Sequence, residues 1–142
     1  MRLRLLIALL ALSAVTVACG DDTSVFNLEV GDCFNDDPAA SDVVSDVATV
    51  DCAEPHDNEI YFQFSMTESA FPGREATIQA AGNRCLDEFD AFVGKSYETS
   101  DLEIFPITPT AESWEQGDRI VYCAIYALDL SKLTGTMRGA NR

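Results

Sequence analysis

Five cysteines, divided as one plus four, constrain this 142-residue chain more than any other feature. Cys19 closes an apolar N-terminal run, and Cys33, Cys52, Cys85 and Cys123 lie in the body of the chain. The N-terminus has the three parts of an export signal: basic Arg2 and Arg4, an apolar stretch over residues 5–17, and small residues at Val17-Ala18-Cys19-Gly20. That apolar run is shorter than the roughly 20 residues a spanning helix needs. An exported chain meets oxidising conditions, so the four body cysteines are expected as two disulfides.

A cysteine directly after Ala18 resembles a bacterial lipobox, in which the thiol takes a diacylglyceryl group and becomes the new N-terminus. Thr16 departs from that pattern, which most often has Leu there. The expected organisation is a lipoprotein signal peptide over 1–18, a lipidated tether over 19–24 and one domain over 25–142. Four cysteines allow three pairings. Cys33–Cys52 and Cys85–Cys123 are preferred, because the first two fall on neighbouring predicted strands and the second two on a helix and the strand beneath it. Each bridge closes a loop of tens of residues, worth roughly 3–4 kcal/mol on the chain-entropy account. Zinc is disfavoured as the use of these thiols, because none of them shows the paired C-x-x-C spacing.

Loss of residues 1–18 removes Arg2 and Arg4, leaving seven basic residues against twenty-four acidic ones, a net charge of −17. Between Asp21 and Gly73 there is no Lys or Arg. Such a surface repels phosphate backbones, which argues against nucleic acid as a partner, and repels anionic lipid headgroups too. Membrane attachment is therefore expected from acyl chains on Cys19 alone. The basic C-terminal stretch, with Lys132, Arg138 and Arg142, is expected to fold back onto the acidic body.

The pattern along the chain predicts an α+β fold: a small single domain, mainly an antiparallel sheet with one principal helix packed on it, and two disulfides. Residues 25–30 alternate Phe26, Leu28 and Val30 against polar neighbours, as a half-buried strand does. Residues 35–45 are rich in Asp, Ser, Pro and Ala and read as a loop. Strands are expected at 47–52 and 59–66, the second with Ile60, Phe62, Phe64 and Met66 on one side. After Pro72-Gly73 a helix is predicted over 74–93, with Ile78, Ala81, Cys85, Phe89 and Phe92 on its buried face and Gly94 as its stop. A short strand at 102–105 follows. Residues 120–128 are nearly continuous apolar sequence, as in a central strand covered on both faces.

Catalytic constellations are hard to assemble from this chain. His56 is its single histidine, there is no G-x-S-x-G elbow, and no phosphate loop or dinucleotide fingerprint is present. A carboxylate pair for glycan hydrolysis is uninformative in so acidic a sequence. No enzymatic activity and no cofactor are expected. Two polar segments are the candidate interaction sites. In the first, Glu54, His56, Asp57 and Glu59 fall within six residues and could hold a divalent ion, or His56 could fix the turn after Pro55 by a local hydrogen bond. In the second, Trp114 and Arg119 flank the Gly117-Asp118 turn. Trp114 there either caps the core or serves as a surface anchor for a partner.

Four short motifs carry a resemblance: Val30-Gly31-Asp32-Cys33-Phe34; Cys52-x-Glu54-Pro55-His56-Asp57-x-Glu59; Ser113-Trp114-x-x-Gly117-Asp118-Arg119-x-x-x-Cys123; and Gly135-Thr136-Met137-Arg138-Gly139. In order and spacing they are similar to the septum formation family of actinobacterial envelope proteins, over essentially the whole mature domain. The resemblance implies an extracytoplasmic domain tied to the membrane and associated with cell division, and brings no catalytic residue or cofactor. Members often carry this domain beside transmembrane segments, whereas here a lipid would do the tethering. The expected function is a lipid-anchored binding module on the outer face of the cell membrane, contacting an envelope or division protein or a wall polymer. A small-ligand or divalent-metal-binding lipoprotein is the alternative.

Overall fold

The computed structural model describes residues 24–38 and 46–142. The segment expected as a signal peptide and the expected lipidation site Cys19 lie outside the described residues. Seven elements follow in order: β1 (Cys33–Phe34), β2 (Thr49–Val50), β3 (Asn58–Ser65), α1 (Arg74–Val93), β4 (Leu102–Ile107), α2 (Ala111–Glu115) and β5 (Ile120–Ala127). The strands form one sheet in the order β2-β1-β3-β5-β4, and every neighbouring pair is antiparallel. The architecture is α+β, with two disulfides, Cys33–Cys52 and Cys85–Cys123.

The sheet has a core on each face, which explains the unbroken apolar run of β5. Val121, Cys123, Ile125 and Ala127 face α1 together with Ala81, Cys85, Phe89 and Phe92. Tyr122 and Ala124 point the other way, into a smaller cluster with Val25, Leu28, Phe34, Val47, Ile60 and Ile107. A strand alternates its side chains between faces, so only a strand covered on both needs apolar residues throughout.

Helix α1 has the predicted limits, but its buried face is shifted by one residue. Thr77, Ala81, Cys85, Phe89 and Val93 form a buried row at i+4 steps, joined by Phe92, whereas Ile78 is 45% exposed. The bridge from Cys85 to Cys123 pins the helix to the sheet along that row. Thr77 meets its own polar need by donating its hydroxyl to the Gly73 carbonyl at 3.0 Å. Gly94 ends the helix in the left-handed region, with φ 82° and its N–H on the Asp90 carbonyl.

Three other expectations are corrected. Residues 25–30 do not form a strand: Val25–Asn27 is a 3-10 turn, so Val25 and Leu28 point inward and Phe26 and Val30 are exposed. Ser24 drives the curl, its carbonyl accepting from the Asn27 amide and its hydroxyl oxygen from the Phe26 amide. The strand expected over 47–52 shrinks to Thr49–Val50, because the Asp51 carboxylate takes the Ala53 N–H and starts a turn. Finally, Ile60 does not share a face with Phe62 and Phe64. Ile60 opposes Ala124 and Phe62 opposes Cys123, leaving Tyr61 as the extra residue of a bulge. The bulge turns Tyr61 and Phe62 toward the helix side and leaves Ile60 in the smaller cluster.

Candidate functional site

The two polar segments occupy opposite ends of the sheet; the first is organised by chain distant from it in sequence, the second mainly by its own turn. At the first, the bridge Cys33–Cys52 brings the turn after β2 against β1. The Asp51 carbonyl accepts from the Glu54 amide at 2.9 Å, closing the turn. The C-terminal tail then runs alongside. The Gly135 amide donates to the Cys52 carbonyl at 2.7 Å, and His56 and Leu133 exchange backbone hydrogen bonds at 3.1 and 2.8 Å. Beyond them, the Glu59 carboxylate accepts the Thr136 hydroxyl at 2.5 Å and the Met137 amide at 2.6 Å. The tail goes on to the end of α1, where the Gly139 and Asn141 amides donate to the Phe92 and Val93 carbonyls. These are among the carbonyls a helix C-terminus leaves without intrahelical partners. One strap thus binds the disulfide turn, strand β3 and the helix end.

The four residues of the expected ion site are divided rather than brought together. Glu54 is exposed. The His56 ring is fully buried, and its Nδ1 lies 2.8 Å from the Glu54 carbonyl. A carbonyl only accepts, so Nδ1 carries the proton and donates, and the local bond fixes the turn as the simpler expectation had it. Nε2 has no hydrogen-bond partner among the described residues. Asp57 belongs to a different group: its Oδ2 accepts the Asp36 amide at 2.9 Å and the Lys132 ammonium at 2.6 Å. Burial works against ionisation of Asp57, but the Lys132 and Asp36 hydrogen bonds and the Lys132 charge outweigh it and hold its carboxyl below the usual value. Lys132 also reaches Asn35 at 2.7 Å, and Asn58 donates to Asp36 at 2.7 Å.

Glu59 lies fully buried, and one of its oxygens is within 4.8 Å of the sulfurs of Cys33 and Cys52. Those sulfurs are joined to each other, so no thiolate is offered to a metal. The chemistry of this end is therefore that of a hydrogen-bond clasp, with His56 Nε2 as its one unpartnered ring nitrogen among the described residues. Its single imidazole is inaccessible to a substrate and already committed at Nδ1.

At the other end, Trp114 is 5% exposed and packs its ring against Phe71 at 5.6 Å between centroids. It caps the core and does not stand out as an anchor. The Arg119 guanidinium lies 3.8 Å from the indole centroid, a cation–π contact. Among the described residues Arg119 makes no salt bridge; its Nη1 donates to the Trp114 and Asp118 carbonyls at 2.8 and 2.6 Å. Thr110 and Ser113 form a capping box that starts α2, and Ser113 donates to Asp118, whose other oxygen takes the Ile120 amide. The segment is a fold element that delivers the chain into β5.

Sequence reasoning missed Asp36, Lys132, Leu133, Thr136 and Met137 as partners of the first segment. The signal for the last two was the Gly135–Gly139 motif, which carried the resemblance without an assigned role. The tail does fold back onto the acidic body: Lys132 pairs with Asp57, Arg142 with Asp101 at 3.0 Å, and Arg138 stacks over Phe92 at 4.4 Å.

The family model described as septum formation matches residues 30–141. A Mycobacterium tuberculosis protein named "Putative lipoprotein LppN" is 29% identical over 115 residues, covering 79% of this chain and 63% of its own length. A Mycobacterium bovis protein of the same name matches to the same extent. The chain thus spans under two thirds of the curated relatives it matches. No solved structure matches the chain significantly.

Proposed function

The chain belongs to the septum formation family, and from that premise we propose that it is an envelope-associated binding module with a lipid anchor at Cys19. In this reading residues 1–18 are the leader, 19–24 the tether, and the domain stands on the outer face of the cell membrane. It meets a division protein, another envelope protein or a wall polymer during septation. The relatives named as lipoproteins support the anchored form, because Val17-Ala18-Cys19 supplies the acceptor cysteine in this chain.

The observation that carries the reading is the closed state of the polar segments. His56, Glu59, Trp114 and Arg119 are spent on the fold, and no described nucleophile–base pair stands beside the buried imidazole. That supports contact through the outer surface over turnover of a substrate. It also weakens the divalent-ion alternative, because Glu54 is exposed while His56, Asp57 and Glu59 are held by separate partners.

The experiment is the position in dividing cells of the full chain fused to a fluorophore that matures outside the cytoplasm. Enrichment at midcell, lost in Cys19→Ala, is the expected result. A uniform signal around the cell through the whole division cycle would overturn the septal role. An unchanged membrane signal in Cys19→Ala would overturn the anchor.

A further inference from the structure

Strand β4 lies at one end of the sheet order, so half of its backbone groups face outward from the sheet. The register shows which half. The Leu128 amide donates to the Asp101 carbonyl, and pairing then runs Leu102 with Ala127, Glu103 with Tyr126, and so on to Ile107 with Tyr122. Antiparallel pairs alternate between bonded and non-bonded, so Glu103, Phe105 and Ile107 bond to β5. The groups of Leu102, Ile104 and Pro106 face outward. An added strand would look for an N–H donor at each of these three positions.

None of the three positions offers one. The Leu102 amide donates to the Ser100 hydroxyl oxygen at 3.0 Å. The Ile104 amide donates to the carboxylate of its own neighbour Glu103 at 3.0 Å, and Tyr97 donates its hydroxyl to that same carboxylate oxygen. Pro106 has no N–H at all. The edge otherwise has a surface that invites pairing, since Phe105 is 45% exposed between Ile104 and Pro106.

We infer that Ser100, Glu103 and Pro106 together close β4 to strand addition, so that the sheet takes neither a second copy of this chain nor an extended peptide at this edge. A partner meets this end of the domain through side chains. The inference stands on edge geometry and does not depend on the septal reading.

The test is the mass of the mature chain by sedimentation across a wide concentration range. Wild type should stay monomeric, and the double variant Glu103→Thr with Pro106→Val should rise toward twice the monomer mass as concentration increases. Hydrogen exchange on the same samples should slow at Ile104 and Val-substituted position 106 only in the associating form. Should the threonine variant not fold, Glu103→Leu with Pro106→Val likewise removes the acceptor of the Ile104 amide and should also associate. A folded double variant that stays monomeric, or a dimer without new protection in β4, would overturn the inference. So would a wild-type dimer protected along β4.

Discussion

The two disulfides close loops of similar cost but differ in surroundings, one buried at both ends and the other at one. Cys33–Cys52 spans 19 residues and Cys85–Cys123 spans 38, which on the chain-entropy account gives about 3 and about 4 kcal/mol. Both sulfurs of the second bridge belong to fully buried residues, packed among Tyr61, Phe89, Val121 and Ile125 where helix meets central strand. Tyr61 even spends its hydroxyl on the Cys85 carbonyl at 2.6 Å. The first bridge ties β1 to a surface turn: Cys33 is fully buried, as the inner pair is, but Cys52 is partly exposed. Loop length alone nearly equates them, so their consequences differ because of packing.

Replacement of both members separates the two contributions. Cys85→Ala with Cys123→Ala removes the cross-link and leaves space in the main core, so its loss should exceed the entropic value, reaching about 5 kcal/mol or more. Cys33→Ala with Cys52→Ala should lose about 3–4 kcal/mol, because only one of its two sulfurs, that of buried Cys33, leaves a void beyond the lost cross-link. Urea unfolding of both doubles measures the gap. Equal losses would break the comparison and leave loop entropy as the whole account. Reduction of the wild type sharpens the same point. In native buffer with dithiothreitol and an alkylating reagent, mass spectrometry should find Cys33 and Cys52 labelled first. Cys85 and Cys123 should react only on global opening.

The contrast also explains what could be read in advance. The inner bridge was legible because helix and strand periodicities are local signals: Cys85 repeats with Ala81 and Phe89, and Cys123 lies inside a continuous apolar run. The helix limits 74–93 followed from Pro72-Gly73 and Gly94 in the same way. The Cys33–Cys52 pairing was expected too, but the hydrogen-bond partners around it were not legible, because they are distant. Lys132 is 75 residues from Asp57, and Thr136 and Met137 are 77 and 78 residues from Glu59. A dense run of polar residues looks like a ligand site until the tail that consumes it is in place. The bulge at Tyr61 was hidden for a related reason. One extra residue in β3 reverses a face without disturbing the alternation on either side of it.

Next in size is Glu59, which asks whether the outer region is held by its disulfide or by the tail. Glu59→Ala strips the acceptor from the Thr136 hydroxyl and the buried Met137 amide while leaving Cys33–Cys52 intact. An orphaned buried donor costs about 1–3 kcal/mol, so the loss should approach that of the outer bridge itself. Hydrogen exchange should quicken across 133–141 and at the last turn of α1, which depends on Gly139 and Asn141 for its carbonyl partners. Unchanged exchange in the tail would assign the outer region to its disulfide alone.

The smallest effect belongs to Lys132, at the rim of the same region. The pair with Asp57 is partly exposed on the lysine side, and removing it by Lys132→Ala should cost about 0–1 kcal/mol at neutral pH. Its pH dependence is more telling than its size. Asp57 titrates below its ordinary value in the folded chain, so it contributes stability above the unfolded carboxyl pKa and loses it as pH falls through the lower folded value. In Lys132→Ala two of the influences holding that carboxyl down disappear, and burial remains to push it up. The difference between wild type and variant should therefore be full near neutrality and shrink as pH drops through the acidic carboxylate range. A gap that persists unchanged at the lowest pH would show that Lys132 acts through the packing of its side chain and not through its charge. The rim would then obey the same rule as the inner bridge, and the division between a packed centre and an electrostatically held edge would fail.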